Sequence, residues 1–359
     1  MIAVIPFAVV GLLILNGVSP AEARKKSTPK TNRANEVQID AATRLQVFLD
    51  RENFSPGRID GRYNDLTWKA LALYCESRGE QPQDPPRHSG PNANVPPDVS
   101  GLDLSSVDSA FVPYTVTEAD LQNVGQLPSH VAEQEKMKFL PYHDVGDAIA
   151  EKFHSDFHFL EQLNARKLKG LKAGDQLKVL NVEPFELASV KEIQPGSETA
   201  SQVANEVEDQ PQTQASTPAQ SAAPRNVSTK VDTKTNMLGV FEAQKLIAAY
   251  PVTIGSAHTA SPIGEWKVRG IAKLPRFRYD KEMLEHGKRS GNSYMLPPGP
   301  RNPVGVMWIA LNKKGIGIHG TSDPGSIGRA VSHGCIRLAN WDVVRLATKI
   351  KAGDNVSIH

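Results

Sequence analysis

Residues 183–226 are built almost wholly from Pro, Gln, Ser, Ala, Thr, Val, Asn and Glu, with little aromatic content. A stretch of that composition buries too little apolar surface to offset the entropy of ordering it, so it reads as a disordered tether. It therefore forbids one continuous core, and the 359 residues divide into smaller units on either side. At roughly 100–200 residues per domain the length allows two or three. The 26 prolines and 27 glycines point the same way, towards long connections around small cores.

The net charge of +2 gives no reason to expect nucleic acid as a partner. Its distribution is more informative. Residues 226–359 carry 19 Lys and Arg against 9 Asp and Glu, a net of +10, which leaves 22 against 30, or −8, for residues 1–225. A basic C-terminal part suits an anionic partner, although a solvated basic surface reads the same way.

At the N-terminus, Ile2 to Leu15 is almost continuously apolar, and Ala21-Glu22-Ala23 supplies a small-x-small cleavage pattern. Residues 1–23 are expected to be an export signal, since the apolar run falls short of the roughly 20 residues that span a bilayer. Membrane anchoring is expected only if that signal stays uncleaved, with Arg24-Lys25-Lys26 beside it. The expected location is the periplasm or cell envelope. The two cysteines, Cys75 and Cys335, are too far apart and too few for a disulfide framework. Cys75 falls in an apolar helical pattern and is expected in a core. Cys335 lies among Gly, His and Ser, where packing gives little reason for a thiol.

Residues 37–80 read as a small helical unit. Asp40 is an expected N-cap, with Leu45, Phe48 and Leu49 on one helix face, and Trp68, Leu71 and Cys75 follow on a second helix. Gly57, Asp60, Gly61, Thr67, Ala70 and Leu71 resemble the G-x-x-D-G-x-x-G-x-x-T-x-x-A-L mark of three-helix peptidoglycan-binding domains. Asn64 stands at the third glycine, where tolerance of left-handed backbone is expected of it. Residues 81–112 read as a linker. Residues 113–182 resemble a LysM module of α+β type in two pieces, Tyr114 to Asp120 and Val145 to Val179, with Ser155 as an expected helix cap. About two dozen inserted residues separate them. This unit is either a sugar-binding module or a spacer of the same shape. His143, His154 and His158 show no metal-ligand spacing and are expected at the surface.

From Val227 the pattern becomes mostly β. Met237–Phe241, Leu246–Ile254, Glu265–Val268, Met307–Leu311 and Gly315–His319 read as strands, followed by a helix capped by Asn340 and a last strand, Asn355–Ile358. The chemistry lies in Ile318-His319-Gly320-Thr321 and Ser332-His333-Gly334-Cys335-Ile336-Arg337-Leu338. A cysteine nucleophile needs an imidazole base and amide donors for a developing oxyanion, and Gly334 permits close backbone approach. Arg329 and Arg337 are expected to favour thiolate. Zinc binding by the same residues is the competing reading, but H-x13-H-x-C lacks paired spacing and a fourth ligand.

These residues resemble the H-G…[ST]-H-G-C-hydrophobic-[NR] pattern of the YkuD-type L,D-transpeptidase catalytic domain. The resemblance extends to Ser261-Pro262-Ile263-Gly264-Glu265-Trp266 and Gly299-Pro300-Arg301-Asn302-Pro303-Val304-Gly305. It implies a multidomain chain whose residues 227–359 form a mostly-β, β-sandwich-like catalytic domain behind small helical and α+β modules. It also implies Cys335 as nucleophile and His319 as proton acceptor and donor, oriented by the Gly320 carbonyl. His333, Gly334 and the Cys335 amide would shape an oxyanion site, and Ser332 and Arg337 would support the loop and bound substrate. Residues 274–303, with Arg276, Arg278, Tyr279 and Tyr294, would cover the donor peptide. No metal or organic cofactor is implied, and the expected partner is peptidoglycan through its tetrapeptide stems, with glycan contact through the N-terminal modules. An L,D-carboxypeptidase of the same fold and a non-catalytic wall-binding scaffold remain as alternatives.

Overall fold

The computed structural model describes residues 29–81, 85, 99, 101–191, 203, 204, 226–256 and 259–359. The expected export signal and most of the expected tether lie outside the described residues. Helix α1 (Pro29–Arg51) buries Leu45, Phe48 and Leu49 as its periodicity requires. It begins before Asp40, so Asp40 is no cap: residues 36–41 extend the helix through solvent, and the buried stripe starts at Ala42. Helix α2 (Asp65–Ser77) is capped by Asn64, whose side chain accepts from the Thr67 amide at 3.0 Å. Asn64 has φ −105°, not the left-handed angle expected of it, whereas Gly57 and Gly61 take φ +74° and +70°. The capping oxygen, and not backbone permissiveness, explains Asn at that position.

Strand β1 (Phe111–Thr115) leads into α3 (Glu118–Leu121), and α4 (Val131–Gln134) lies in the inserted segment. Helices α5 (Val145–Lys152) and α6 (Phe157–Leu163) follow, and β2 (Gln176–Leu180) pairs antiparallel with β1. The cap of α6 is Asp156, one residue beyond Ser155, because its carboxylate accepts from the Phe159 amide. The two N-terminal units share one core, from Leu45 and Leu71 through Ile149, Leu160 and Val179. Met237, Leu246 and Ala249 of the C-terminal unit belong to it as well. Residues 101–110, read as linker, include the buried Val107 and Ala110. Residues 183–191 likewise pack, with Phe185 and Val190 buried in the C-terminal core.

The C-terminal unit contains β4 (Val227–Asp232), β5 (Met237–Glu242), β6 (Lys245–Pro251), β7 (Ile254–Gly255) and β8 (Gly264–Lys273). A two-residue strand before them, β3 (Val203–Ala204), joins β9 (Arg276–Asp280) and β10 (Ser293–Leu296) in a small sheet, with α7 (Lys281–His286) between β9 and β10. The chain then forms β11 (Met307–Leu311), β12 (Gly317–His319), β13 (Ala330–Ser332), β14 (Ile336–Arg337), α8 (Asn340–Lys349) and β15 (Asn355–Ile358). The main sheet runs β14-β12-β11-β8-β15-β4-β5-β6. It curls until its ends meet: Thr253, just past β6, exchanges two 2.9 Å backbone hydrogen bonds with Arg337 of β14. Trp341, Val343 and Leu346 of α8, with Ile350 just past it, fill the inside of the curl. The expected mostly-β domain is thus one curled sheet around a helix.

The N-terminal units dock on this sheet through a buried polar network. Asn53 and Ser55 bond to Ala249, extending the sheet beyond the edge strand β6. His154 is 1% exposed, contrary to its expected place at the surface. Its Nδ1 lies 2.9 Å from Asp50, and its ring stacks on Trp341, an aromatic partner that local spacing could not reveal. His143 and His158 are exposed. Arg345 donates to Asp50 at 2.9 Å and Ser55 donates to Asp342 at 2.8 Å. Although burial opposes it, Asp50 is held well below the usual carboxylate range by Arg345 and His154. Burial raises Asp342 to about 8, and its Oδ1 has no hydrogen-bond partner among the described residues. Removing one member of a buried ion pair strands the other charge. Arg345→Ala is therefore expected to cost about 3–5 kcal/mol in denaturant unfolding, and Asp342→Asn far less; equal losses would contradict this division of charge.

Candidate active site

Register brings the distant motif residues together. Strand β12 pairs in parallel with β14, setting Ile318 against Ile336 and His319 against Arg337, so Cys335 at the start of β14 comes beside β12. On the other side, His319 stands opposite Trp308 of β11, and their rings stack at 5.2 Å with 16° between planes. The His319 backbone carbonyl accepts from Leu338 at 2.8 Å, which fixes the strand under the ring.

The His319 Nδ1 lies 2.6 Å from the Gly320 carbonyl oxygen. A carbonyl only accepts, so Nδ1 carries the hydrogen and Nε2 is left with the lone pair. Burial and the nearby Arg337 push His319 down to about 3, against the pull of that hydrogen bond. The imidazole is neutral at physiological pH. The Cys335 thiol is pushed up by burial, more than the Gly317 amide and Arg337 lower it. Arg337 does favour thiolate as expected, but desolvation outweighs it, and Arg329 is exposed. The resting pair is a neutral thiol and a neutral imidazole.

Gly334 has φ +105°, a backbone region that a side chain would strain. Ser332 is buried; its hydroxyl donates to the Cys335 carbonyl at 2.6 Å and accepts from the Gly334 amide. Ser332 thus holds the turn from within. His319, His333, Cys335 and Arg337 line one cavity of about 370 Å³, together with Arg278 and Tyr279. Ser332, Gly320 and Gly334 stand behind its wall. Tyr294 pairs with Tyr279 across β9 and β10 without lining the cavity, and Arg276 is exposed.

Several cavity residues carry no motif signal. Phe277, Leu284 and Trp308 supply apolar walls, and Arg289 and Lys314 join Arg278 and Arg337 at the rim. Among the described residues, no Asp or Glu lines it. Asn340 was expected as a helix cap, but the cap is Ala339. The Asn340 side chain turns inward, accepting from the Val306 amide at 3.1 Å and donating to buried Glu151 of α5 at 2.9 Å. Its amide occupies the space that a Cβ on Gly305 or Gly320 would need. Burial raises Glu151 to about 7. Through Asn340 the N-terminal part thus backs the turn that holds His319.

Residues 227–358 match the family model of the L,D-transpeptidase catalytic domain. YqjB of Bacillus subtilis (strain 168), assigned to the L,D-transpeptidases, is 36% identical over 133 residues, covering 36% of this chain and 68% of that protein. YkuD of Bacillus licheniformis, assigned likewise, is 35% identical over 121 residues, 34% of this chain and 58% of its own length. A solved structure of an L,D-transpeptidase from Mycobacterium smegmatis aligns over 38% of this chain and 59% of that one, at 20% identity and a TM-score of 0.31. The C-terminal unit is thus of the L,D-transpeptidase catalytic class. The chain belongs to the YkuD-type L,D-transpeptidase family. It spans less than two thirds of the YkuD proteins it matches, 58% of the Bacillus licheniformis one and 65% of the Bacillus subtilis one.

A neutral resting thiol makes a kinetic prediction. Iodoacetamide alkylation of Cys335 should keep accelerating past the ordinary thiol value of about 8.5. A plateau already reached between about pH 6 and 7 would instead reveal a standing thiolate–imidazolium pair.

Proposed function

We propose that this chain is an exported cell-envelope L,D-transpeptidase that acts on peptidoglycan stem peptides through Cys335 and His319. The observation that carries the proposal is the shared cavity: a thiol and a neutral imidazole with a free-lone-pair Nε2 line it, in a domain of this family. In the first step His319 Nε2 takes the thiol proton as Sγ bonds to the carbonyl carbon of an amide preceding a terminal D-residue. The Cys335 backbone amide meets the developing oxyanion, while the Gly334 amide, bonded to Ser332, holds the turn. The C–N bond breaks, and the proton on His319 passes to the leaving amine, which departs as the D-amino acid. A thioester remains on Cys335. An acceptor amine then attacks it, gives its proton to His319, and the C–S bond breaks to release the thiol.

A neutral resting pair suits this order, since the proton moves only as the nucleophile attacks and no standing charge must be desolvated. The rim supports an anionic substrate. Arg278, Arg289, Lys314 and Arg337 line the cavity; Arg278 is already paired with Asp280 at 2.7 Å, whereas Arg337 Nε is buried with no hydrogen-bond partner among the described residues. Stem peptides present carboxylates that such guanidinium groups recognise. The small-x-small pattern after Ile2–Leu15 supports export. Glycan contact through the N-terminal units is part of the same proposal, and their resemblance to wall-binding modules supports it.

Mass spectrometry of residues 24–359 with tetrapeptide-containing muropeptides tests this reading. Crosslinked dimers lacking one terminal D-residue should form, and should vanish in Cys335→Ala and His319→Ala. Tripeptide stems without dimers would make water the acceptor and the enzyme an L,D-carboxypeptidase, while unchanged stems with no thioester would leave a binding scaffold.

A further inference from the structure

The segment inserted into the LysM-like unit does not project into solvent. Its base is tied to its own unit: Gly125 donates to the Tyr142 carbonyl, Tyr142 donates to Asn123, and the Tyr142 hydroxyl donates to Glu151. Its far part lies on the covering segment of the active site. The Leu140 amide donates to the Pro298 carbonyl at 2.8 Å, and the Leu140 carbonyl accepts from Arg301. Leu140 is wholly buried in a cluster with Phe277, Leu296 and Trp308, against which Leu127, Val131 and Met137 also pack. Gly299 makes this approach possible, because a Cβ there would lie 2.2 Å from the Leu140 oxygen. A side-chain anchor completes the contact. Glu135 accepts from the Met295 amide at 2.7 Å, on the side of β10 away from β9.

Met295 stands opposite Arg278 across the β9–β10 pair, and Phe277, Arg278 and Tyr279 of β9 line the cavity with Met283 and Leu284 of α7. The wall that faces the substrate is therefore the β9–β10 ribbon, flanked on the β9 side only by the two-residue β3, and its outer strand β10 is held by the N-terminal unit. A sheet of such short strands has little stability alone. We infer that residues 122–143 brace this ribbon, with Glu135 as a positioning residue, so that the donor-binding wall is preformed by the N-terminal unit. The insert thereby sets affinity for the donor, and no chemistry passes through it. The effect on donor affinity rests on the transpeptidase reading; the brace itself is a property of the fold.

Hydrogen–deuterium exchange of the full chain separates the two. In Glu135→Ala, exchange over residues 276–296 should rise about fivefold, the factor that loss of one hydrogen bond implies, with the thermal midpoint and exchange elsewhere unchanged. Glu135→Gln keeps an accepting oxygen and should restore slow exchange. In the same Ala variant, KM for a tetrapeptide stem should rise about fivefold with kcat held within about twofold, while iodoacetamide still labels Cys335. Unchanged exchange in Glu135→Ala, or a rise spread over the whole chain, overturns the brace. Faster local exchange with unchanged KM overturns its role in donor affinity. If the unaltered chain turns over no stem peptide, the transpeptidase reading fails while lid exchange still decides the brace.

Discussion

The parallel pairing of β12 with β14 is the constraint on which the site depends. Each strand is only two or three residues long, and neither would persist alone. They are held because β14 also closes the curl of the sheet: Arg337 exchanges its backbone hydrogen bonds with Thr253 on one side, and Leu338 donates to His319 on the other. Sheet closure and the placing of Cys335 and His319 on one cavity are one event. The apolar side chains of α8 inside the curl supply the burial that sustains both.

Burial then decides the electrostatics. A cysteine among histidines and arginines suggests a thiolate on composition alone, but the sheet places both groups where charge is poorly solvated. Desolvation moves the thiol up and the imidazole down. The Gly320 carbonyl fixes which nitrogen of His319 is basic, and the Asn340 amide packs behind that carbonyl's turn. The same logic runs through the docking network, where Asp50 keeps its charge beside Arg345 and Asp342 lies above its ordinary range.

The N-terminal units are joined to the catalytic sheet by packing. Their core takes in Met237, Leu246 and Ala249, their chain extends the sheet past β6, and Glu151 reaches Asn340. Within those units the polar side chains of Gln46, Thr67 and Asp120 are satisfied internally. Gln46 donates to Asp60 and Thr67, and Asp120 accepts from Tyr114 and Thr117.

The sequence by itself determined what local patterns encode. These include the helix faces at Leu45, Phe48 and Leu49, the strands from Met237 onward, and the Ser-His-Gly-Cys motif with its upstream His-Gly. Each is legible because its cause lies within a few residues: a period or a short motif. Only the tertiary structure decided that His154 is buried against Trp341 and that Asn340 bonds inward where a cap was expected. It also decided that residues 183–191 pack, that Trp308 stacks on His319, that Leu140 packs with Phe277 and Trp308, and that Glu135 bonds to β10. Those facts depend on partners from 11 residues away, as for Trp308 and His319, to nearly 200, as for Asn340 and Glu151 at a separation of 189. Burial and hydrogen-bond satisfaction are set by whatever surface folds against a residue, and no local spacing records which surface that is.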